Sequence, residues 1–153
     1  MPSGRVHHLA TMITGAAVGT LMQVNGFPTS EIVALEVGFF ATFFINPDLD
    51  LNTTFPKRNP RKWLWWLYWY PYSRLFPHRS ALSHFPLLGT FVRIAYLLVP
   101  LYLLQLVSDE IHIIFAGATF PVLGMVISDT VHYLMDITVT AYKRSHYRNI
   151  RKS

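Results

Sequence analysis

Not one of the 153 residues is a cysteine. Disulfides and thiolate metal sites are therefore excluded, and any metal held here must be ligated by His, Asp, Glu or carbonyl oxygen. Charge is scarce as well. Charged residues make up 14% of the chain, against roughly a quarter in soluble domains. What replaces them is apolar: 52% of residues are hydrophobic and 15% aromatic. No internal repeat is present, and the length fits one domain. The charges that remain are mostly cationic, with 13 Lys and Arg against 8 Asp and Glu. In a chain this apolar, a basic balance points first to an anionic membrane surface, and nucleic acid is not expected as a partner.

Four apolar stretches stand out. Residues 9–24 are uncharged and carry Gly15-x-x-x-Gly19, a small-residue pattern that lets helices approach closely. A cleaved signal peptide is the competing reading. It is disfavoured because Arg5 alone is a thin basic region and no small-x-small site follows. Residues 32–45 contain Glu36, with Ser30 placed as an N-cap and Pro47 as a stop. Residues 86–107 contain Arg93 and Pro100. "SDE" at 108–110 then opens a stretch at 111–127 with acids where the helix dipole favours them. A spanning helix needs about 20 residues, so three of the four are short. A small soluble helical bundle is the alternative.

The placement of cations argues for the membrane. Arg5 precedes the first stretch. Lys57, Arg58, Arg61, Lys62, Arg74 and Arg79 lie between the second and third. Lys143, Arg144, Arg148, Arg151 and Lys152 follow the fourth. The connectors near 25–31 and 108–110 hold no Lys or Arg. This is the positive-inside pattern of a four-pass chain. The expectation is an all-α integral membrane bundle of about four transmembrane helices, one domain over 1–153, with helices near 6–24, 31–46, 85–107 and 110–140. Both termini and the 47–84 loop are expected in the cytoplasm, at a plasma (inner) or thylakoid membrane. Within that loop "WLWWLYWYPY", residues 63–72, reads as an interfacial or half-buried helix ending near Pro71, because Trp and Tyr favour the headgroup zone.

Chemistry-bearing residues gather at the same predicted level. His7 and His8 open the first stretch, and Asp48 and Asp50 of "NPDLD" close the second. His78 and His84 of "PHRSALSH" precede the third, and the fourth runs into "SDTVHYLMD". There Asp129, His132 and Asp136 are spaced i, i+3, i+7 and share one helix face. Intramembrane or interfacial ionisable residues are costly and usually functional. Mixed imidazole and carboxylate donors suit Zn, Mn or Fe. Their number exceeds one tetrahedral site, so one or two divalent ions, with some carboxylates holding imidazoles from behind, are expected. The plainer alternatives are a turn at Asp48 and Asp50 and polar flanks at the histidines. Glu36 and Arg93 are expected to face the bundle. They either pair with each other, or Arg93 binds an anionic headgroup.

"MPSGRVHH", "NPDLD", "PHRSALSH" and "SDTVHYLMD", in this order, resemble an uncharacterised bacterial family, frequent in cyanobacteria, of metal-binding integral membrane proteins. The set is more distantly similar to membrane-bound metal-dependent hydrolases linked to the DNA-damage response. The resemblance implies His7, Asp48, Asp50, His78, His84, Asp129 and His132 as metal-site residues, with Asp136 in support. His8 stands where the closer family is expected to carry an acid. Metal-assisted hydrolysis is the function this suggests, with Asp50 or Asp136 taking a proton and Arg79 steadying a phosphate or carboxylate. Membrane lipids are the expected surroundings, and a lipid or lipid-linked phosphoester is the expected substrate. The rival reading is a non-enzymatic scaffold or assembly factor with a structural metal or polar network. Metal transport is disfavoured, because the ligands cluster at one face and transporters bind near the midplane.

Overall fold

The computed structural model describes residues 4–51, 62–77, 80–105 and 117–150, and all regular structure among them is helical. Helix α1 (Gly4–Val24) has 21 residues, about 32 Å at 1.5 Å each. It stops where Gly26 takes a φ of 79°. Gly26 N–H then donates to Gln23 O and Phe27 N–H to Met22 O, both at 3.1 Å. This Schellman closure satisfies the last carbonyls of the helix.

Helix α2 (Thr29–Ala41) begins directly after Pro28. Ser30 is not its cap: the Pro28 carbonyl accepts the N–H groups of Glu31 and Ile32, and no side chain caps this end. α2 also ends earlier than the 46 expected. Thr42 Oγ1 donates to Phe39 O at 2.6 Å, and Pro47 keeps the residue before it out of helical conformation. A 3-10 turn (Pro47–Leu51) follows, pinned by a 3.0 Å bond from Asp48 N–H to Asn46 Oδ1.

Helix α3 (Trp63–Leu75) is the aromatic tract, and it does not stop at Pro71. Proline removes one backbone bond, but Trp69 and Tyr72 on either side of it are fully buried. They pack with Leu49, Val92 and Tyr96. Two bonds tie α3 to the next long helix: Tyr68 Oη donates to Tyr96 O at 3.1 Å, and Tyr96 Oη to Tyr68 O at 2.6 Å. A single turn, α4 (Ala81–His84), leads into α5 (Pro86–Gln105). The last helix, α6 (Thr119–Ile150), starts later than the expected 110 and runs past the expected 140. Gly117, at a φ of 124°, makes the break just before it, in a conformation that favours glycine.

The long helices alternate in direction. Gly15 meets Phe39 and Gly19 meets Ile32, so α1 and α2 are antiparallel. His7 meets Asp136 and Thr11 meets Ser128, while Phe85 meets Tyr133 and Thr90 meets Asp129, so α6 runs against both α1 and α5. The Gly15-x-x-x-Gly19 notch does bring helices close, and the Glu36 carboxylate lies over it. A closer approach, between α2 and α6, was not anticipated. A Cβ on Gly38 would overlap the Pro121 carbonyl, and one on Gly124 would overlap the Leu35 carbonyl.

Polarity is distributed inside out. Among the described residues thirteen polar or charged side chains are buried and only seven hydrophobic ones. Met12, Ile13, Leu21, Phe40, Phe44, Phe91, Leu103 and Leu134 are all exposed. Among the described residues one helix, Thr119–His146, is long and apolar enough to cross a membrane. α2 has 13 residues, about 20 Å, which is too short to cross on its own and departs from four full spans.

Candidate metal centre

Four pieces of chain deliver the donors. His7 comes from the first turns of α1. Asp48 comes from the 3-10 turn, which α2 delivers at its lower end. His84 closes α4 just before α5 begins, and His132 and Asp136 lie one helical turn apart on α6. Measured along the helices, His7 to Val24 and Thr119 to Asp136 are each about 26 Å. The site therefore lies toward one end of the bundle, and the other end is mostly apolar, with Glu31 and Glu36 of α2 as its acids among the described residues.

The distances have a pattern. His7 Nε2 lies 3.4 Å from Asp136 Oδ1, His132 Nε2 3.7 Å from Asp48 Oδ1 and 3.9 Å from Asp136 Oδ2, and His84 Nε2 3.9 Å from Asp48 Oδ1. These are too long for good hydrogen bonds. They suit donors sharing one ion: ligands at about 2.1 Å in a tetrahedral site stand about 3.4 Å apart. Two sets of three donors fall within 4.8 Å, His7–His132–Asp136 and Asp48–His84–His132. His132 belongs to both. An imidazole nitrogen has one lone pair, so either a single ion sits among all five side chains or His132 serves one of two ions.

Burial makes the case for an ion. His7, His84, His132 and Asp136 are each less than a tenth exposed. Asp48 Oδ1, His132 Nε2 and both Asp136 carboxylate oxygens are buried without a hydrogen-bond partner. Buried polar atoms are normally satisfied, and unpartnered ones cost about 1–3 kcal/mol each. A cavity of about 30 Å³ lies beside His7, Asp48, Asp129 and His132, large enough for an ion or a water. Four carboxyl groups, Asp48, Asp50, Asp129 and Asp136, gather here, and among the described residues the one buried guanidinium, Arg93, is taken up by Asp129. A divalent cation would offset the excess. The residues present therefore fit a metal.

Around the donors stands a supporting layer. His84 Nδ1 lies 3.2 Å from Asp50 Oδ2 and 3.0 Å from Ser83 Oγ. A proton held on Nδ1 by Asp50 turns Nε2, as a lone pair, toward the shared donors. Asp50 is thus behind the histidine and outside both donor sets. Asp129 is also outside them. Its carboxylate accepts from Arg93 and Thr90, while Arg93 Nη1 donates to Ser83 O at 2.8 Å. Arg93 therefore couples α6 to the turn that carries His84. The pairing of Arg93 with Glu36 is corrected: Glu36 sits one helix away on the Gly15–Gly19 notch. Burial raises the Tyr72 phenol above its ordinary value, with Arg93 opposing, so that ring stays neutral beside the network.

His7 and His8 take different roles. The His7 ring stacks on His132 at 4.0 Å, while His8 tilts against Phe43 at 4.9 Å and lines the small cavity. His78 and Arg79 lie outside the described residues. Sequence reasoning missed Ser83, Thr90 and Arg93 as parts of the site. The i, i+3 offset of Thr90 and Arg93 on α5 was the available signal.

Residues 2–120 match the family described as "Uncharacterized metal-binding protein (DUF2227)". The chain belongs to that family. The matched stretch includes His7, Asp48, Asp50 and His84 and ends before the α6 donors. An "Uncharacterized protein" of Aquifex aeolicus (strain VF5) is 26% identical over 142 residues, which covers 76% of this chain and 97% of the relative. No solved structure matches.

Proposed function

We propose that this protein is a metal-dependent hydrolase of a membrane boundary, with His7, Asp48, His84, His132 and Asp136 as the ligands of one or two divalent ions. Buried donor atoms converging from four chain segments carry this reading, with Asp48 Oδ1, His132 Nε2 and both Asp136 oxygens lacking a hydrogen-bond partner. When bound, a divalent metal supplies Lewis acidity and a water acidified from about 16 to near 7. Asp136 has two buried oxygens without a hydrogen-bond partner, so one can face the ion while the other accepts a proton. Asp50 holds the proton on His84 Nδ1 and Arg93 fixes the Ser83 carbonyl, so the site is oriented before substrate arrives.

The membrane setting is supported by the inside-out distribution. Apolar exteriors on α1, α2, α5 and α6 need an apolar solvent, since exposed hydrophobic surface of this extent is rare on soluble monomers. The helix length beyond the site, about 26 Å, is close to the roughly 30 Å hydrocarbon of a bilayer, and the Glu36 carboxylate within it lies over the Gly15–Gly19 notch. Arg5, Lys62 and Arg144 lie toward the site end, and by the positive-inside pattern this supports a cytoplasmic side for the site. A structural metal clamp is the second reading, favoured by the depth of burial of the donors; a closed site would leave no position for substrate.

The test is metal content. The chain is purified without a His-tag in mild detergent and its metals counted by mass spectrometry. One or two equivalents are expected, lost in His84→Ala and Asp48→Ala while helicity is kept. Lipid phosphoester hydrolysis should vanish in the same variants. Full metal loading without turnover of any phosphoester moves the assignment to the clamp, and no metal under any loading condition ends both.

A further inference from the structure

Besides the cavity of about 30 Å³, two roomier ones open beside the donors. The larger, about 570 Å³, borders the site only through Asp48, with Lys62 and Trp65 on its walls. The smaller, about 300 Å³, touches both donor sets, through His84 and Asp136. Its long wall is α6, and the pattern there is regular. Asp136, Thr140 and Arg144 recur every four residues and form a polar rail. Tyr133, Ile137 and Ala141 form a second, mostly apolar rail beside it. Helical side chains lean toward the helix N-terminus, so the exposed Arg144 leans back along its rail toward Asp136. No carboxylate among the described residues pairs with it.

We propose that this smaller cavity binds the phosphoryl group of an amphiphilic phosphoester, with Arg144 and Thr140 holding its oxygens and Ile137 and Ala141 carrying its apolar part. The proposal rests on the metal-centre reading and names the substrate class of that site. The donors His84 and Asp136, where a metal would add positive charge, and Arg144 border one cavity. A tetrahedral phosphoryl group presents oxygens to both at once, whereas a planar carboxylate fills one guanidinium fork. The volume is at the low end for ligand sites. It takes a headgroup and the first carbons of an apolar group, and the remainder lies along the exposed Leu134 side of α6. The phosphoryl chemistry is shared by lipid headgroups and water-soluble phosphates, and the experiment separates them.

The full chain, in a phosphate-free maltoside detergent and loaded with Mn²⁺, is titrated with inorganic phosphate and separately with a short-chain phosphatidate. Binding is read from Mn²⁺-induced broadening of the ³¹P signal, and bound Mn²⁺ is counted in the same samples. Arg144→Gln should weaken binding about tenfold or more at unchanged metal content. Arg144→Lys should fall between, and Lys62→Gln should match the parent. Parent-like binding in Arg144→Gln, or the loss appearing in Lys62→Gln instead, overturns the cavity assignment and leaves the metal centre standing. Absence of bound metal from the parent chain after loading with Mn²⁺, Zn²⁺ or Fe²⁺ overturns both. Tighter binding of phosphatidate assigns a lipid substrate. Equal affinities assign a water-soluble phosphate and overturn the role given to Ile137 and Ala141.

Discussion

The two ends of the bundle are held together by different physics. At the far end α2 and α6 touch backbone to backbone at Gly38 and Gly124, with Met22, Leu35 and Phe39 filling around them. At the site end the contacts are Arg93 with Asp129, Thr11 and Thr42 with Ser128, and histidines with aspartates. Close packing at small residues lets two helices touch along their backbones. A polar network suits a place where an ion must be positioned, and its members are expensive if any partner is lost. The far end therefore tolerates no added volume where its backbones touch, and the site end does not tolerate a buried charge left without its partner.

Four substitutions sharpen that contrast, from large effect to small. Gly38→Leu should cost about 4 kcal/mol or more, because its Cβ already collides with the Pro121 carbonyl, a backbone atom. Loss of monodisperse, helical protein in detergent is the readout; a normal melting curve would mean α2 and α6 do not touch there. Asp129→Ala should cost about 3–5 kcal/mol by leaving Arg93 buried and uncompensated. The double variant Arg93→Met/Asp129→Leu should recover most of that stability and yet bind metal more weakly, since the Ser83 carbonyl is released. Equal metal affinity in the double variant would deny Arg93 its positioning role.

Asp50→Asn should leave the fold intact and lower metal affinity about 10–100-fold, measured by competition with a chelator. A complete loss of binding would instead make Asp50 a direct ligand. Gly19→Ala should change stability by less than about 1 kcal/mol. Its Cβ meets Glu36 Oε1 at 2.6 Å, but that is the end of a flexible side chain that can swing aside. Gly19→Ala and Gly38→Leu together ask whether backbone or side-chain contact sets the tolerance of the far end.

Much of this was legible from residue types and spacing. The absence of cysteine confined the ligands to His and Asp, and four apolar stretches with His or Asp at alternate ends implied donors meeting at one level. The Gly15-x-x-x-Gly19 notch implied one close helix pair. Asp129, His132 and Asp136 were correctly placed on one α6 face, yet that face splits. His132 and Asp136 join the donors, and Asp129 turns to Arg93. Periodicity assigns a face and cannot rank the partners across it.

Sequence alone therefore determined the helical class, the donor chemistry and the end of the bundle where it collects, because these follow from composition and from periods of 3.6 residues. Tertiary structure decided the pairings. It gave Arg93 to Asp129 rather than to Glu36, set Asp50 behind His84, and put His7 rather than His8 against His132. It also opened a cavity along Asp136, Thr140 and Arg144. Each of these depends on which helix lies next to which, and that was settled by the backbone contacts at Gly38 and Gly124, a choice between neighbours that local sequence does not encode.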